Sequence, residues 1–354
     1  MVDLETYKKL HPDSDTLTKR PPSSGSNSLD NSYMSEESPE LGDDFFICLP
    51  TSIFGFNMDN RTWDNLDVHF LRDVVWNTEA FKLLVVPDQT KLLVQAVVMN
   101  QLRSTESADI IPGKGNGLFI LLHGGPGTGK TLTAESVAEI AKKPLYRVTC
   151  GDIGTKVEEV EDYLHVVLHL GKTWGCVVLL DEADVFLEQR SMFNLERNAL
   201  VSVFLRVLEY YDGIIILTTN RVGILVEAFK SRIQLNLRYE NLGPEQRSQI
   251  WRNFFQRLQK LETSSTRDHS DPLLGADVKG MMEKVDELAK VELNGRQIRN
   301  TVSTARQLAR YLQEPLSYEH LSKVIDEAKK FDEYLLEVNQ FHSADKMRRD
   351  LGER

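Results

Sequence analysis

The chain has 354 residues, 42 of them Lys or Arg and 53 Asp or Glu, for a net charge of −11. That balance weighs against broad non-specific binding to DNA or to an anionic membrane, although a local basic patch is compatible with it. Apolar residues make up 41% of the chain, enough for the core of one large or two modest domains.

The three cysteines, Cys48, Cys150 and Cys176, form no C-x-x-C pair, and Cys150 and Cys176 fall in or beside apolar runs. They read as free thiols of a reducing compartment. No secretory signal pattern opens the chain, and no apolar run reaches membrane-spanning length. The expectation is a soluble intracellular protein of the cytoplasm or nucleus.

Residues 1–43 are rich in Ser, Asp, Glu and Pro and hold almost no aliphatic clusters. Such a segment cannot bury enough surface to offset its ordering entropy, so the expectation is a disordered acidic tail. Residues 44–110 change character: Trp63, Phe70, Leu71, Trp76 and Phe81 are interleaved with polar residues, which reads as a folded lead-in packed on the body that follows. Within it, Pro87–Leu102 has helical spacing with Asp88 near its start as a cap.

Residues 111–240 alternate apolar strand candidates with helices. The strands are Leu118–Leu122, Leu145–Thr149, Cys176–Leu180, Ile214–Thr218 and Ile233–Leu237. This alternation predicts an α/β fold, a parallel sheet of five core strands covered on both faces.

The first strand runs directly into Gly124, Gly125, Pro126, Gly127, Thr128, Gly129, Lys130, Thr131 and Leu132. This is the G-x-x-x-x-G-K-[ST] spacing of a phosphate-binding loop, and the strand before it and the helix after it supply the required context. The four glycines leave no side chain between the backbone N–H groups and a phosphate. The helix that opens at Lys130 aims its unpaired N–H groups and positive dipole end at the same anion. Lys130 would reach the β- and γ-phosphates, and the Thr131 hydroxyl would ligate Mg²⁺. A second triplet, Gly171-Lys172-Thr173, lacks the upstream glycine because Val166 stands in its place; it reads as a helix end and a turn.

Cys176–Leu180 leads into Asp181-Glu182-Ala183-Asp184, 51 residues beyond Lys130. At that position Asp181 would hold Mg²⁺, directly or through water, and Glu182 would act as general base toward the attacking water. Asn220 stands at the end of the fourth strand, where an amide could position that water; the alternative is an ordinary turn Asn before Arg221. Residues 241–341 carry helical patterns interrupted by the loop TSSTRDHSDPLLG, and 342–354 form a charged tail.

Taken together, these elements resemble an AAA-type AAA+ ATPase from about residue 80 to 335. HGGPGTGKT resembles its Walker A motif, VVLLDEAD its Walker B motif and ILTTNR its sensor 1 strand. The resemblance implies a three-layer α/β domain with a C-terminal helical lid, ATP and Mg²⁺ as ligands, and a homo-oligomer in the form of a ring. It implies an arginine finger acting in trans, for which EAFKSRIQ offers Arg232; a helix-capping arginine is the alternative. In the lid, LNGRQIRN resembles the sensor 2 segment, with Arg296 as the contact to phosphate and Arg299 as the alternative in register. The arrangement as a whole resembles a branch of the family abundant in filamentous fungi. One departure concerns protein threading: Cys150-Gly151-Asp152-Ile153-Gly154-Thr155 places Asp152 where threading rings carry an aromatic.

A GTPase would need an N-K-x-D sequence after the fourth strand, and none is present. A small-molecule kinase would need neither Glu182 beside Asp181 nor the lid. The expected function is Mg²⁺-dependent ATP hydrolysis coupled to remodelling of an unidentified protein substrate, with nucleic acid as an unfavoured partner. The alternatives are a nucleotide-switched binding module with little hydrolysis, which intact Glu182 disfavours, and a clamp-loader-like DNA machine, which the acidic balance disfavours.

Overall fold

The computed structural model describes residues 1–11, 50–103, 117–149, 156–184, 195–220, 227–265 and 275–338. The chain divides into two units, Met1–Val75 and Trp76–Arg354. The expected lead-in at 44–110 is therefore split between them.

The first unit is built on a hairpin of β1 (Ser52–Asn57) and β2 (Thr62–Asp67), paired antiparallel from Ser52↔Asp67 to Asn57↔Thr62. Asn57 closes the turn: its Oδ1 accepts from the N–H groups of Asp59 at 3.0 Å and Asn60 at 3.4 Å. Helix α1 (Leu4–Leu10) begins at Asp3, whose carboxylate accepts from the Thr6 N–H. The ring of Tyr7 is buried, edge-on to Phe54 and Trp63 at centroid distances of 4.7 and 5.1 Å. Residues 4–10 thus correct the expectation of disorder from the first residue onward. The partners that order this helix lie some fifty residues away on the hairpin, and the local composition gives no sign of them. Residues 12–43 lie outside the described residues.

In the second unit, β3 (Leu118–Gly124), β4 (Leu145–Thr149), β5 (Val177–Asp181), β6 (Ile214–Thr219) and β7 (Leu235–Tyr239) form one parallel sheet in the order β4-β5-β6-β3-β7. The five expected strands are all present, Leu145–Thr149 with the expected ends and the others with an end or both ends displaced by one or two residues. Strands β3, β5 and β6 are buried along nearly their whole length, which explains why their sequences are continuous apolar runs rather than alternating ones.

Leu118, Ile120 and Leu122 face a core completed by Phe81, Val94, Val98 and Val137, carried on α2 (Glu79–Lys82), α3 (Asp88–Arg103) and α4 (Lys130–Ala141). The opposite face carries α5 (Val157–Thr173), which packs on α6 (Leu195–Glu209) and on β5. A Cβ added to Gly171 of α5 would fall 2.7 Å from Val178, so this glycine serves close packing rather than a phosphate. The Gly171-Lys172-Thr173 triplet is the end of α5, as its spacing predicts.

After the short α7 (Glu227–Lys230), the helices α8 (Pro244–Ser265), α9 (Val278–Glu283), α10 (Val285–Lys290), α11 (Gly295–Leu312) and α12 (Tyr318–Val338) enclose a core of their own around Trp251, Phe255, Ile298 and Leu321. Among the described residues, polar contacts of this lid with the α/β layer include the Gly295 N–H donating to the Gly127 carbonyl at 2.9 Å, which sets the lid over the loop, Asn253 Nδ2 donating to the Leu83 carbonyl at 2.8 Å, and an ion pair of Lys260 with Glu79 at 3.1 Å. Among the described residues no helix is long and apolar enough to cross a membrane. Cys176 is buried and free, and burial pushes its thiol up to about 11, so it stays protonated. Cys48 and Cys150 lie outside the described residues.

Candidate nucleotide site

The loop between β3 and α4 takes its path from glycine. Gly124, Gly127 and Gly129 have φ of 145°, 72° and 104°, a region that side chains other than glycine's rarely enter. At Gly124 a Cβ would sit 2.0 Å from the Tyr239 carbonyl oxygen of the adjacent β7, and at Gly127 it would sit 2.4 Å from Asn294 Oδ1 in the lid. Gly129 has open space, so the demand there is on the backbone alone. Gly124→Ala is expected to cost at least about 1–3 kcal/mol of stability, the range for overpacking, before the strain at positive φ is added. The denaturant midpoint checks this, and an unchanged midpoint would show that the loop can be rebuilt freely.

Lys130, the first residue of α4, is buried, and its Nζ donates to the Gly124 carbonyl at 2.9 Å, the Gly125 carbonyl at 2.6 Å and Asn220 Oδ1 at 2.9 Å. Sheet order explains the last contact. Strand β6 lies beside β3 with His123 opposite Thr219, which sets Asn220 level with Gly124 although 90 residues separate it from Lys130. The Thr128 hydroxyl donates to the Gly125 carbonyl at 2.8 Å and tightens the loop around Pro126. Leu132, the third residue of α4, is exposed. Just before the loop, His123 is buried; desolvation, then the charges of Arg238 and Lys130, push its pKa below the usual histidine value. It therefore stays neutral near pH 7, and Lys130 supplies the positive charge at the loop.

Asp181 ends β5 as a buried carboxylate. Its Oδ1 accepts from the Thr218 hydroxyl at 2.6 Å and the Thr131 hydroxyl at 3.1 Å, and its Oδ2 accepts from Arg147 at 2.6 Å. The next residue, Glu182, turns into the left-handed region at φ 58°, its N–H donating to Thr218 Oγ1 at 2.9 Å. Such a conformation is uncommon outside glycine and concentrates at functional sites. It separates two adjacent acids, leaving Asp181 buried and Glu182 exposed. Asp184 accepts from the Thr219 hydroxyl and from the Asn220 N–H at 3.2 Å, tying down the strand end that carries Asn220.

Arg296 lies in the first turn of α11, next to the Gly295 contact with the loop and inside a capping box made by Asn294 and Gln297. Arg299, one turn on, lies within Coulombic reach of Glu135 on α4. Arg232 is elsewhere, between α7 and β7, with its guanidinium 3.5 Å from Glu209 Oε2. The segment Cys150–Thr155 and Arg221 lie outside the described residues.

Four residues that touch this site escaped the sequence reading: Arg147, Thr218, Asp184 and Asn294. Arg147 left a signal, being the only charge within the strand Leu145–Thr149. Asp184 left a weaker one in the DEAD run. Thr218 and Asn294 left none that distinguishes them from ordinary strand and cap residues.

The donor chemistry suits a hard cation. A hydroxyl and a carboxylate oxygen, with further positions left for phosphate oxygens and water, are what Mg²⁺ prefers. Among the described residues no group of three or more His, Cys, Asp or Glu is placed to hold a metal ion.

Residues 120–241 match the family described as ATPase family associated with various cellular activities (AAA), and residues 242–342 match the fungal AAA+ ATPase lid domain. The chain belongs to the AAA-type AAA+ ATPases. The lid match agrees with the fungal branch that the sequence resembles. The ATPase is 28% identical over 199 residues to ATPase family AAA domain-containing protein 3 of Caenorhabditis elegans, covering 53% of this chain and 33% of that protein. It is 32% identical over 119 residues to the ATP-dependent zinc metalloprotease FtsH of Buchnera aphidicola, covering 30% and 19%. It is also 29% identical over 150 residues to human ATPase family AAA domain-containing protein 3B, covering 40% and 23%. The chain thus spans 19–33% of the length of these relatives. Membership carries nucleotide binding and ATPase chemistry, and oligomers are usual in the family.

Proposed function

We propose that the ATPase hydrolyses ATP to ADP and phosphate with Mg²⁺, as a homo-oligomer, and couples turnover to the remodelling of a protein or protein assembly. The observation that supports this best is the convergence of Lys130, Thr131, Asp181 and Asn220 from three separate elements into two hydrogen-bonded pairs, Lys130 with Asn220 and Thr131 with Asp181, at the carboxyl ends of the strands. In open α/β sheets that edge is where ligands bind.

In the proposed reaction the loop N–H groups and the α4 dipole hold the phosphates. Lys130 exchanges its carbonyl partners for phosphate oxygens, a stronger charge-assisted pairing. Thr131 and Asp181 would hold Mg²⁺, which when bound supplies charge neutralisation at the β- and γ-phosphates. Glu182 accepts a proton from the attacking water, and Asn220, steadied by Asp184, orients that water. Arg232 of a neighbouring subunit stabilises charge on the transferring phosphoryl group.

Lys130→Ala tests the assignment. Losing a charge-assisted contact in a desolvated site is expected to cost at least about 1.5–3 kcal/mol, or roughly 10- to 100-fold in affinity. Titration with a fluorescent ATP analogue measures it, and an unchanged affinity in the folded variant would remove the loop from the nucleotide site. For the remodelling role, affinity capture with a hydrolysis-deficient variant that retains ATP is the direct test; a trapped state that enriches no protein beyond the nucleotide-free control argues against it.

A further inference from the structure

The fold sets a guanidinium against the carboxylate expected to receive the metal. Arg147 stands between the buried Tyr146 and Val148 on β4, opposite Leu179 of β5. It reaches Asp181 Oδ2 at 2.6 Å; the Asp181 side chain is 7% exposed and that of Arg147 is 51% exposed. A buried carboxylate without a cation is costly, and Arg147 meets that need when no metal is near. Once a dication shares Asp181, the two positive charges repel at a spacing where screening is incomplete.

The arginine has somewhere to go. Glu135 lies one helical turn after Thr131 on α4, so the two share a face. It is within Coulombic reach of Arg147, of Asp181 and of Arg299 in the lid. We infer that Arg147 is a positioning residue that stands in for the metal at Asp181 and shifts towards Glu135 when Mg²⁺ enters with nucleotide. This rests on the proposed reading of Asp181 as the Mg²⁺ carboxylate. Because Glu135 also feels Arg299, the same exchange changes the charge that the lid meets on α4.

The test is a Mn²⁺ titration of the full chain with saturating ADP, followed by loss of the free-ion paramagnetic resonance signal. Arg147→Gln is expected to bind Mn²⁺ about tenfold more tightly than wild type, a factor within the usual range for coupling between linked ligands. Arg147→Lys, which keeps the charge without the planar fork, should fall between the two, and Glu135→Gln should shift affinity the other way. Without metal or nucleotide, Arg147→Gln should also melt about 2–4 °C lower, the shift expected for one lost interaction in a domain of this size. With Mn²⁺ and ADP bound the difference should shrink. Mn²⁺ affinity that is unchanged or weaker in Arg147→Gln overturns the inference while leaving the nucleotide site standing. A wild-type chain that binds no Mn²⁺ with ADP overturns the site assignment and this inference with it.

Discussion

Subunits carrying Arg232→Ala are expected to bind ATP as the wild type does and to hydrolyse it about 10³- to 10⁵-fold more slowly, the range for loss of an arginine finger. The reason is the register of the sheet. Strand β7 runs parallel to β3, with Ile120 opposite Leu235 and Gly124 opposite Tyr239. The first residue of β7, Leu235, is already four residue levels or about 13 Å from the level of Gly124, and Arg232 precedes it by three residues, beyond the strand end remote from the loop. A role at a phosphate must therefore be played in a neighbour's site. Within one chain the guanidinium pairs with Glu209 at 3.5 Å, both side chains being about a third exposed. A pair of that kind is weak enough to give way to a phosphate.

Mixing sharpens the test. Lys130→Ala subunits lack the nucleotide contact but keep Arg232, and Arg232→Ala subunits lack the finger but keep the site. Mixed oligomers should regain part of the turnover. Activity that is independent of concentration down to a demonstrated monomer, with no recovery on mixing, would remove both the finger and the ring.

Glu182→Gln should separate binding from chemistry. ATP affinity is expected to persist while turnover falls by about 10²-fold or more, the contribution of a positioned general base. The amide keeps the size of the side chain and cannot accept the proton from water. The backbone at φ 58° is equally strained for either residue, so the substitution leaves the loop after β5 where it is. Steady-state hydrolysis within a factor of two of wild type would make Glu182 a solvent-facing acid at a strand end and nothing more.

The parts of the site that were legible in the sequence are those whose chemistry is local. Gly124 to Thr131 is one continuous segment, and its spacing specifies both the loop path and the helix that follows. Asp181 and Asn220 were legible because each ends an apolar run, and buried parallel strands place such ends along one edge of the sheet. Arg147, Thr218 and Asp184 were not. Each matters only through a neighbour on another strand, and which strands are neighbours depends on the order β4-β5-β6-β3-β7. The N-terminal helix was misjudged for a similar reason: Tyr7 is a lone aromatic in a polar segment until Phe54 and Trp63 close over it.

The sequence by itself determined the family, the α/β class, the five strands, the lid and the identity of the phosphate loop, since periodicity, glycine placement and motif spacing are properties of contiguous residues. Only the tertiary structure decided what those pieces touch. Strand order brought Asn220 onto Lys130 and Arg147 onto Asp181, parallel register put Arg232 at the far end from its own loop, and the lid's Gly295 and Asn294 came to rest on Gly127. The physical reason is that burial and hydrogen-bond satisfaction are met by residues far apart in the chain. A carboxylate such as Asp181 acquires its partners only when the sheet has closed around it.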